Sequence, residues 1–420
     1  MSDWQTTELG LLAEFRNGLN YSAANAGTGL AVVGVSDFQE KSFVDFATLA
    51  ELDPSALSTP DAMIRKDDIL FVRSNGNREL IGRSLLVLRD PPKPTSHSGF
   101  TIRLRFTDKR ANPSFFAYLL RGGAIRRHLS NQGGGTNINN LNQGILSRLI
   151  VPLPPLETQC RITEILRAYD DLIEVHRRRI TVLEEMARGL FTEWFVRLRF
   201  PGYEDVSMED TPDGPLPAGW SWGTSGDLLL FDPLTRVPRE GEKPFIPMGH
   251  LDTVTSLIAE PEARTGNAGA KFKNGDTLFA RITPCLENGK TGLVRNLPGP
   301  NGVGFGSTEF IVMRGGRVGP AFSYCLSRLP AFRDHARKSM SGATGRQRAR
   351  TDSVADFPIA IPPANSLFER FENVAWPMLE LVGQIGLSSK RLAATRDLLL
   401  PRLISGQLSV TQAERELEAA

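Results

Sequence analysis

The densest group of side chains able to do chemistry is the run Gly342-Ala-Thr-Gly-Arg-Gln-Arg-Ala-Arg350. Gly342 and Gly345 let a backbone come close to a ligand. Beside Thr344, Arg346 can grip guanine through O6 and N7, and Gln347 can pair with adenine through N6 and N7. Arg348 and Arg350 suit phosphate oxygens. The plainer reading is a solvated basic loop. Arg281, Thr283, Glu287, Asn288 and Lys290 follow a β-like run and would project from a sheet edge. Glu287 could accept from cytosine N4, or pair with Lys290 at the surface. Arg333, Arg337 and Lys338 follow a short helical pattern and suit phosphate clamping, or simple solubility.

The first half of the chain carries a fainter version of the same set. Arg73, Ser74, Asn75, Asn77 and Arg83 follow a β-like run, and Arg126 and Arg127 follow a short helix. Thr136, Asn137 and Asn139 lie in a neutral Gly/Thr/Asn turn whose asparagines could read adenine, although such turns are common without any ligand. Other chemistries lack their residues. Cys160, Cys285 and Cys325 are scattered, which excludes a disulfide framework and a cysteine zinc site, and fits a reducing cytosol. No GxxxxGK[ST] loop occurs. Asp90-Pro-Pro-Lys93 has lysine where a base-stacking aromatic would be needed, and Gly302-Val-Gly-Phe-Gly306 precedes a strand rather than following one. Asp67-Asp68 lacks the Glu-x-Lys of a nuclease core. Trp4, Trp220 and Trp222 read as packing residues.

These candidates need a scaffold, and 420 residues allow two to three domains. With 40% hydrophobic and 23% charged residues the chain is ordinary for a folded protein. No stretch approaches about 18 uninterrupted apolar residues, so no spanning helix is expected. The N-terminus has no basic-then-apolar signal pattern, and a cytoplasmic protein is expected. Net charge is only +2, but it is segregated. Arg328, Arg333, Arg337, Lys338, Arg346, Arg348 and Arg350 cluster, while Glu204, Asp205, Glu209, Asp210 and Asp213 collect elsewhere.

The scaffold is an internal duplication. Asp68-Ile-Leu-Phe71 returns as Asp276-Thr-Leu-Phe279, Gly134-Gly-Thr136 as Gly342-Ala-Thr344, and Val151-Pro-Leu-Pro-Pro155 as Ile359-Ala-Ile-Pro-Pro363. One offset joins all of them. Phe115, Leu119 and Arg121 match Phe322, Leu326 and Arg328 one residue short of it. Each copy predicts short strands (69–72, 84–88; 277–282, 310–313), a short helix, a turn region, a Pro-Pro mark and then a long helix. In the first long helix, over 158–198, Ile162, Tyr169, His176, Leu183 and Leu190 repeat every seven residues, as do Leu166, Ile173, Ile180, Ala187 and Trp194. It spans about 60 Å and needs a partner helix. Phe371, Met378, Ile385, Leu392 and Leu399, with Val374, Leu381, Ser388 and Thr395, offer that partner, with a kink or late start expected near Pro377. His176 reads as a register-setting polar residue. The expected architecture is α+β: two tandem mixed α/β recognition domains separated by two long antiparallel coiled-coil helices, related by a pseudo-two-fold. The expected division is 1–155, a central helix 156–199, an acidic Pro-rich linker 200–217, 218–363, and a distal helix and tail 364–420.

At this point the residues resemble the specificity subunits of type I restriction–modification enzymes, over nearly the whole chain. The resemblance rests on TNINNLNQGILSRLIVPLPPLETQCRITEILRAYDDLIEVHRRR in the first copy, and on GDTLFARITPCLENGKTGLV, STEFIV, SGATGRQR and DLLLPRLISGQL in the second. Departures are modest: Ala360 stands where the first copy has Pro152, and Glu157 and Gln159 have no counterpart after Pro363. The resemblance implies a non-catalytic subunit that binds double-stranded DNA at a bipartite, asymmetric site. It also implies two adenine methyltransferase partners and two endonuclease/translocase partners, with S-adenosylmethionine, ATP and magnesium held by them and no cofactor or metal in this chain. The alternatives are the recognition part of a system whose single partner both cuts and methylates, and a coiled-coil scaffold that binds protein.

Overall fold

The computed structural model describes residues 4–39, 41–56, 62–131, 141–341, 347–404 and 407–418. Within them the helices are α1 (Pro113–Arg121), α2 (Gly123–Asn131), α3 (Gln143–Ser147), α4 (Leu156–Phe191), α5 (Pro320–Arg328), α6 (Pro330–Lys338), α7 (Thr351–Ala355), α8 (Ser366–Ile404) and α9 (Val410–Glu418). The chain forms two compact units, Met1–Leu172 with Leu392–Ala420, and Ile173–Arg391. Each unit therefore takes a share of both long helices.

The duplication is visible strand by strand. In unit 1 an antiparallel sheet runs in the order Ala13–Asn17, Thr101–Phe106, Ile69–Val72, Ser84–Leu86. In unit 2 the order is Leu229–Phe231, Phe310–Gly315, Thr277–Ala280, Thr291–Leu293. A second sheet in each unit contains one parallel pair, Ala26–Val33 with Thr95–His97 and Lys243–Ile246 with Val303–Gly306. A two-stranded ribbon joins the start of each copy to its end, Thr6–Glu8 with Ile150–Pro152 and Ser221–Thr224 with Pro358–Ile361. The central strands are buried on every residue, as their unbroken apolar runs require.

The recurring aspartate before each central strand also has a physical reason. Asp68 is buried and accepts two hydrogen bonds from Arg105, both 2.7 Å, and one from the Arg65 amide at 2.8 Å. Asp276 does the same with Arg314, both 2.7 Å, and the Lys273 amide at 2.8 Å. Each carboxylate thus closes the turn into its strand and satisfies a cation from the neighbouring strand.

A tyrosine on the short helix anchors each sheet to the long helix α4. Tyr118 donates to Asp170 at 2.7 Å, and Asp170 also receives Arg396 of α8. Tyr324 donates to Glu184 at 2.6 Å, and Glu184 accepts the Ser256 amide at 2.6 Å. The N-termini of the short helices are capped differently. Asn112 caps α1 and is held by the buried Gln159 of α4. In the second copy Glu372 of α8 accepts from Ala321 and Phe322. A Cβ at Gly319 would lie 2.1 Å from the Glu372 carboxyl carbon, so glycine stands where the first copy has asparagine. The missing counterpart of Gln159 is replaced from further along the helix.

The long helices are antiparallel within each unit. In unit 2 His176 meets Ser389 at 3.1 Å, Ile180 packs with Val382 and Ile385, and Phe191 with Phe371. In unit 1 Ile162, Ile165 and Leu166 share a core with Leu399, Leu400 and Leu403. Two expectations for α8 change. It runs unbroken through Pro377, which is exposed, so water can take the Asn373 carbonyl that the proline leaves unbonded. The second seam position lies one residue later than hydrophobicity suggests. Val374 and Leu381 are 44% and 43% exposed, while Ala375 and Val382 are buried. The inward row contains Ser389 and Arg396, whose partners on α4 are His176 and Asp170, and polar letters hide a seam. Gly383 and Gly386 are close-approach positions rather than breaks: a Cβ at Gly386 would lie 2.8 Å from Leu257, and one at Gly383 3.1 Å from Arg295. The segment 200–217, expected as a linker, is folded: Phe200 stacks on Trp220, and Met208–Glu209 pairs with Leu216–Pro217.

Candidate nucleic-acid interface

In unit 2 the expected site residues converge, because the chain segments carrying them hydrogen-bond to one another. The Arg281 amide donates to the Glu309 carbonyl at 3.0 Å, and the Ala349 amide to the Arg281 carbonyl at 2.8 Å. Thr283 donates through its amide to the Gln347 carbonyl at 3.1 Å. Arg348 pairs with Glu309 through two nitrogens, the shorter contact being 2.6 Å, and this holds the Glu309 carboxyl below the usual carboxylate range. The Arg333 guanidinium donates to the Leu286 carbonyl. The loop after the central strand, the 347–350 segment and α6 therefore form one surface.

The arginines in that surface do different jobs. Arg281 binds the Ala349 carbonyl at 3.1 and 2.8 Å and so holds the 347–350 segment in place. Arg333 is half-buried, and burial followed by the nearby Arg328 lowers its pKa to about 10. Arg328, counted in the basic run, is buried. It donates to the Thr253, Gly289, Thr255 and Thr291 carbonyls and to the Tyr324 hydroxyl. These three side chains are fastened to the protein's own carbonyls and do not stand out as phosphate clamps. Lys290 donates to the Met248 carbonyl at 3.1 Å rather than meeting Glu287. Arg337, Lys338, Arg348, Arg350, Glu287 and Asn288 are exposed, and Gln347 is half-buried. Arg337 is paired with Asp334 and Arg350 with Asp352, both at the surface, where such pairs are weak. The Thr283 hydroxyl is buried with no hydrogen-bond partner.

Unit 1 repeats the arrangement. The Arg73 and Ser74 amides donate to the Phe100 carbonyl at 2.8 and 3.4 Å, and the Leu141 amide to the Arg73 carbonyl at 2.9 Å. Asn75 and Asn77 shape the loop by accepting from the Asn77 and Glu79 amides at 2.7 and 3.0 Å. Arg126 of α2 donates to the Glu79 carbonyl at 2.7 Å, and burial, then Arg83, lowers its pKa. The Nε atoms of Arg83 and Arg126 are buried without partners, whereas Arg127 is exposed. Thr136, Asn137, Asn139, Thr344 and Arg346 lie outside the described residues.

Sequence reading missed one duplicated feature. Ser98 Oγ accepts from the Phe100 amide at 3.2 Å, and Ser307 Oγ accepts from the Glu309 amide at 3.2 Å. Phe100 and Glu309 are thus equivalent positions, each bonded to the arginine after its central strand. Aligning Ser98 with Ser307 would have found them. Among the described residues no group of His, Cys, Asp and Glu could hold a metal ion, and no helix is long and apolar enough to cross a membrane.

Residues 1–185 match the family described as the type I restriction modification DNA specificity domain. The MjaIX specificity subunit of a type I restriction enzyme from Methanocaldococcus jannaschii is 24% identical over 311 residues, 71% of this chain and 69% of that protein. Over that stretch the chain is similar to the DNA specificity domain of type I restriction–modification systems. The EcoAI specificity subunit of Escherichia coli is 32% identical over 172 residues, 38% of this chain but only 28% of that protein. The crystal structure of a type I system S subunit from M. genitalium shares the fold, at 12% identity, with a TM-score of 0.55 and 95% of each chain covered. The family match ends inside α4, and the second copy is tied to the first by the duplicated sheet order and the repeated Asp–Arg pair.

Proposed function

We propose that the chain is a non-catalytic specificity subunit of a type I restriction–modification system, which reads a bipartite, asymmetric DNA site, one half-site with each unit, and recruits the subunits that act on it. The observation that carries the reading is the duplicated loop framework with unlike side chains. Two equivalent backbone bonds, Arg73 to Phe100 and Leu141 to Arg73 in one unit, Arg281 to Glu309 and Ala349 to Arg281 in the other, frame loops that carry Phe100, Ser74, Asn75 and Asn77 on one side and Glu309, Arg348, Gln347 and Glu287 on the other. Equal frameworks with different contents suit two different half-sites. Arg337, Lys338, Arg127 and Arg350 are the exposed cations fitted to phosphate, with Arg281, Arg333 and Arg126 holding the loops that carry the readers. The exposed apolar residues Val182 and Met186 on α4, and Val374, Leu381 and Leu387 on α8, suit docking of two methyltransferase subunits. Two endonuclease/translocase subunits would join them in the larger complex, and S-adenosylmethionine, ATP and magnesium would be bound by those partners. The test is long-read methylation mapping of genomic DNA from cells with and without this chain, beside its neighbouring methyltransferase. A bipartite, asymmetric N6-methyladenine motif that disappears with the chain is the expected result. Methylation that does not depend on the chain would overturn the reading.

A further inference from the structure

Phe100 is 61% exposed, yet its backbone is hydrogen-bonded through both its amide and its carbonyl. Its amide donates to Ser98 Oγ, and its carbonyl accepts from Arg73 and Ser74. On either side the Gly99 amide donates to the Leu19 carbonyl at 2.6 Å and the Thr101 amide to the Ser98 carbonyl at 2.8 Å. Gly99 is pressed so closely against Asn20 that a Cβ there would lie 2.1 Å from Asn20 Oδ1. With its backbone fixed, the phenyl ring keeps only its two side-chain torsions free, which limits the ordering cost of binding. No other large apolar residue is exposed in the described loop set 73–83 or 95–101, or in the described side chains of 123–131. An isolated ring among serine, asparagine and arginine does not make a protein-docking patch, which would need contiguous apolar area. In the second copy the same position is Glu309, whose carboxylate is taken by Arg348. The ring is therefore not demanded by the fold.

We propose that Phe100 is a specificity-determining residue that packs against the 5-methyl group of a thymine in the half-site read by unit 1. The thymine methyl is the apolar mark on the major-groove edge of a base pair, and the neighbouring Ser74, Asn75 and Asn77 suit the polar atoms beside it. The inference rests on the bipartite reading above. That reading expects an N6-methyladenine motif, in which every adenine faces a thymine.

The test uses the full chain in complex with its methyltransferase partner and duplexes of the mapped target. Deoxyuridine replaces each thymine in turn, which removes the methyl and keeps every hydrogen bond. One replacement, confined to one half-site, should weaken binding by the wild-type complex about four-fold, the factor expected for exposing one methyl-sized group. Phe100→Ala should bind the thymine and deoxyuridine duplexes alike, with the other half-site's preferences unchanged, and Phe100→Leu should keep part of the discrimination. Deoxyuridine without effect anywhere in that half-site, or with equal effect on wild type and Phe100→Ala, would overturn the proposal. So would a uniform loss of affinity for all sequences in Phe100→Ala, the mark of a ring wedged between base steps. Specific binding of the unsubstituted target by wild type keeps the bipartite reading standing in all those cases, and its absence would sink both.

Discussion

Mild acid should destabilise unit 1 through the buried imidazole of His97. This imidazole is fully buried at the end of the strand Thr95–His97. Its Nδ1 lies 2.9 Å from Thr101 Oγ1, which itself donates to the Ser98 carbonyl at 2.7 Å. A hydroxyl has one proton, so Nδ1–H must be the donor to Thr101 and Nε2 must be bare. Nε2 is buried with no partner, so a second proton would have no acceptor. Burial, then Arg103 and Arg105, push the His97 pKa down from 6.5 to about 3. The unfolded chain therefore binds a proton that the folded chain refuses. Stability is unaffected above about pH 6.5 and falls progressively between there and about pH 3. At about pH 5 the unfolded imidazole is nearly all protonated and the folded one neutral, which costs about 2 kcal/mol. Hydrogen exchange of the 95–106 amides in the full chain, compared at about pH 7.5 and pH 5, would read this locally. His97→Asn supplies the control, because its Nδ2 can still donate to Thr101 and cannot titrate. The wild type should lose about 2 kcal/mol more than the variant over that range. Since His97 adjoins the Ser98–Phe100 turn, DNA affinity for one half-site should fall with it. A His97 ring proton titrating near its ordinary value, or an undiminished pH slope in His97→Asn, would refute the reasoning.

Three further outcomes follow from the same geometry. Asp276→Ala strands Arg314 and opens the Lys273 turn, so unit 2 should lose about 3–5 kcal/mol, while Asp68→Ala should do this to unit 1. Exchange rates that rise equally in both units for either variant would contradict independent pairs. Arg337→Ala should weaken binding to all DNA sequences and reduce the salt dependence by about one ion. Arg333→Ala should lower the melting temperature and leave the salt slope alone, so matching slopes for the two variants would erase the distinction between free and fastened arginines. Inserting one heptad at Leu172–Ile173, matched by one at Arg391–Leu392, adds about 10.5 Å of helix. The unread gap in the methylation motif should lengthen by about 3 base pairs, or assembly should fail. The original gap with full activity would reject the helices as the ruler.

The fold was largely legible because it is written twice. A short motif such as Asp68-Ile-Leu-Phe71 is ambiguous alone, but its return at a constant offset with the Pro-Pro marks ties strand, short helix and long helix into one plan. The described strands Ile69–Val72 and Thr277–Ala280 and the helices α1 and α5 lie where that plan puts them. What failed was the inner row of α8. Hydrophobicity points to Val374 and Leu381, yet Ser389 and Arg396 face inward because particular polar partners wait on α4. A pattern of apolar residues cannot register a seam made partly of hydrogen bonds.

The interface was legible only as a neighbourhood. Arg328, Arg333 and Arg337 are the same letter within ten positions, yet one is buried among carbonyls, one is half-buried and fastened, and one is exposed in a surface pair with Asp334. The difference lies in distant backbone: Arg328 meets carbonyls from Thr253 to Thr291, and no local spacing encodes that. Phe100 was lost for the opposite reason, since a phenylalanine beside a strand reads as core. Its exposure carries information only once the Ser98 turn is seen to be rigid and its twin at Ser307 is seen to carry glutamate. A duplicated fold makes this comparison possible within one chain. Positions where both copies keep the same side chain, such as Asp68 and Asp276, mark what the framework needs. Positions where the same backbone bonds carry unlike side chains, such as Phe100 and Glu309, mark what the framework leaves open, which is what the proposed reading of two unlike half-sites requires.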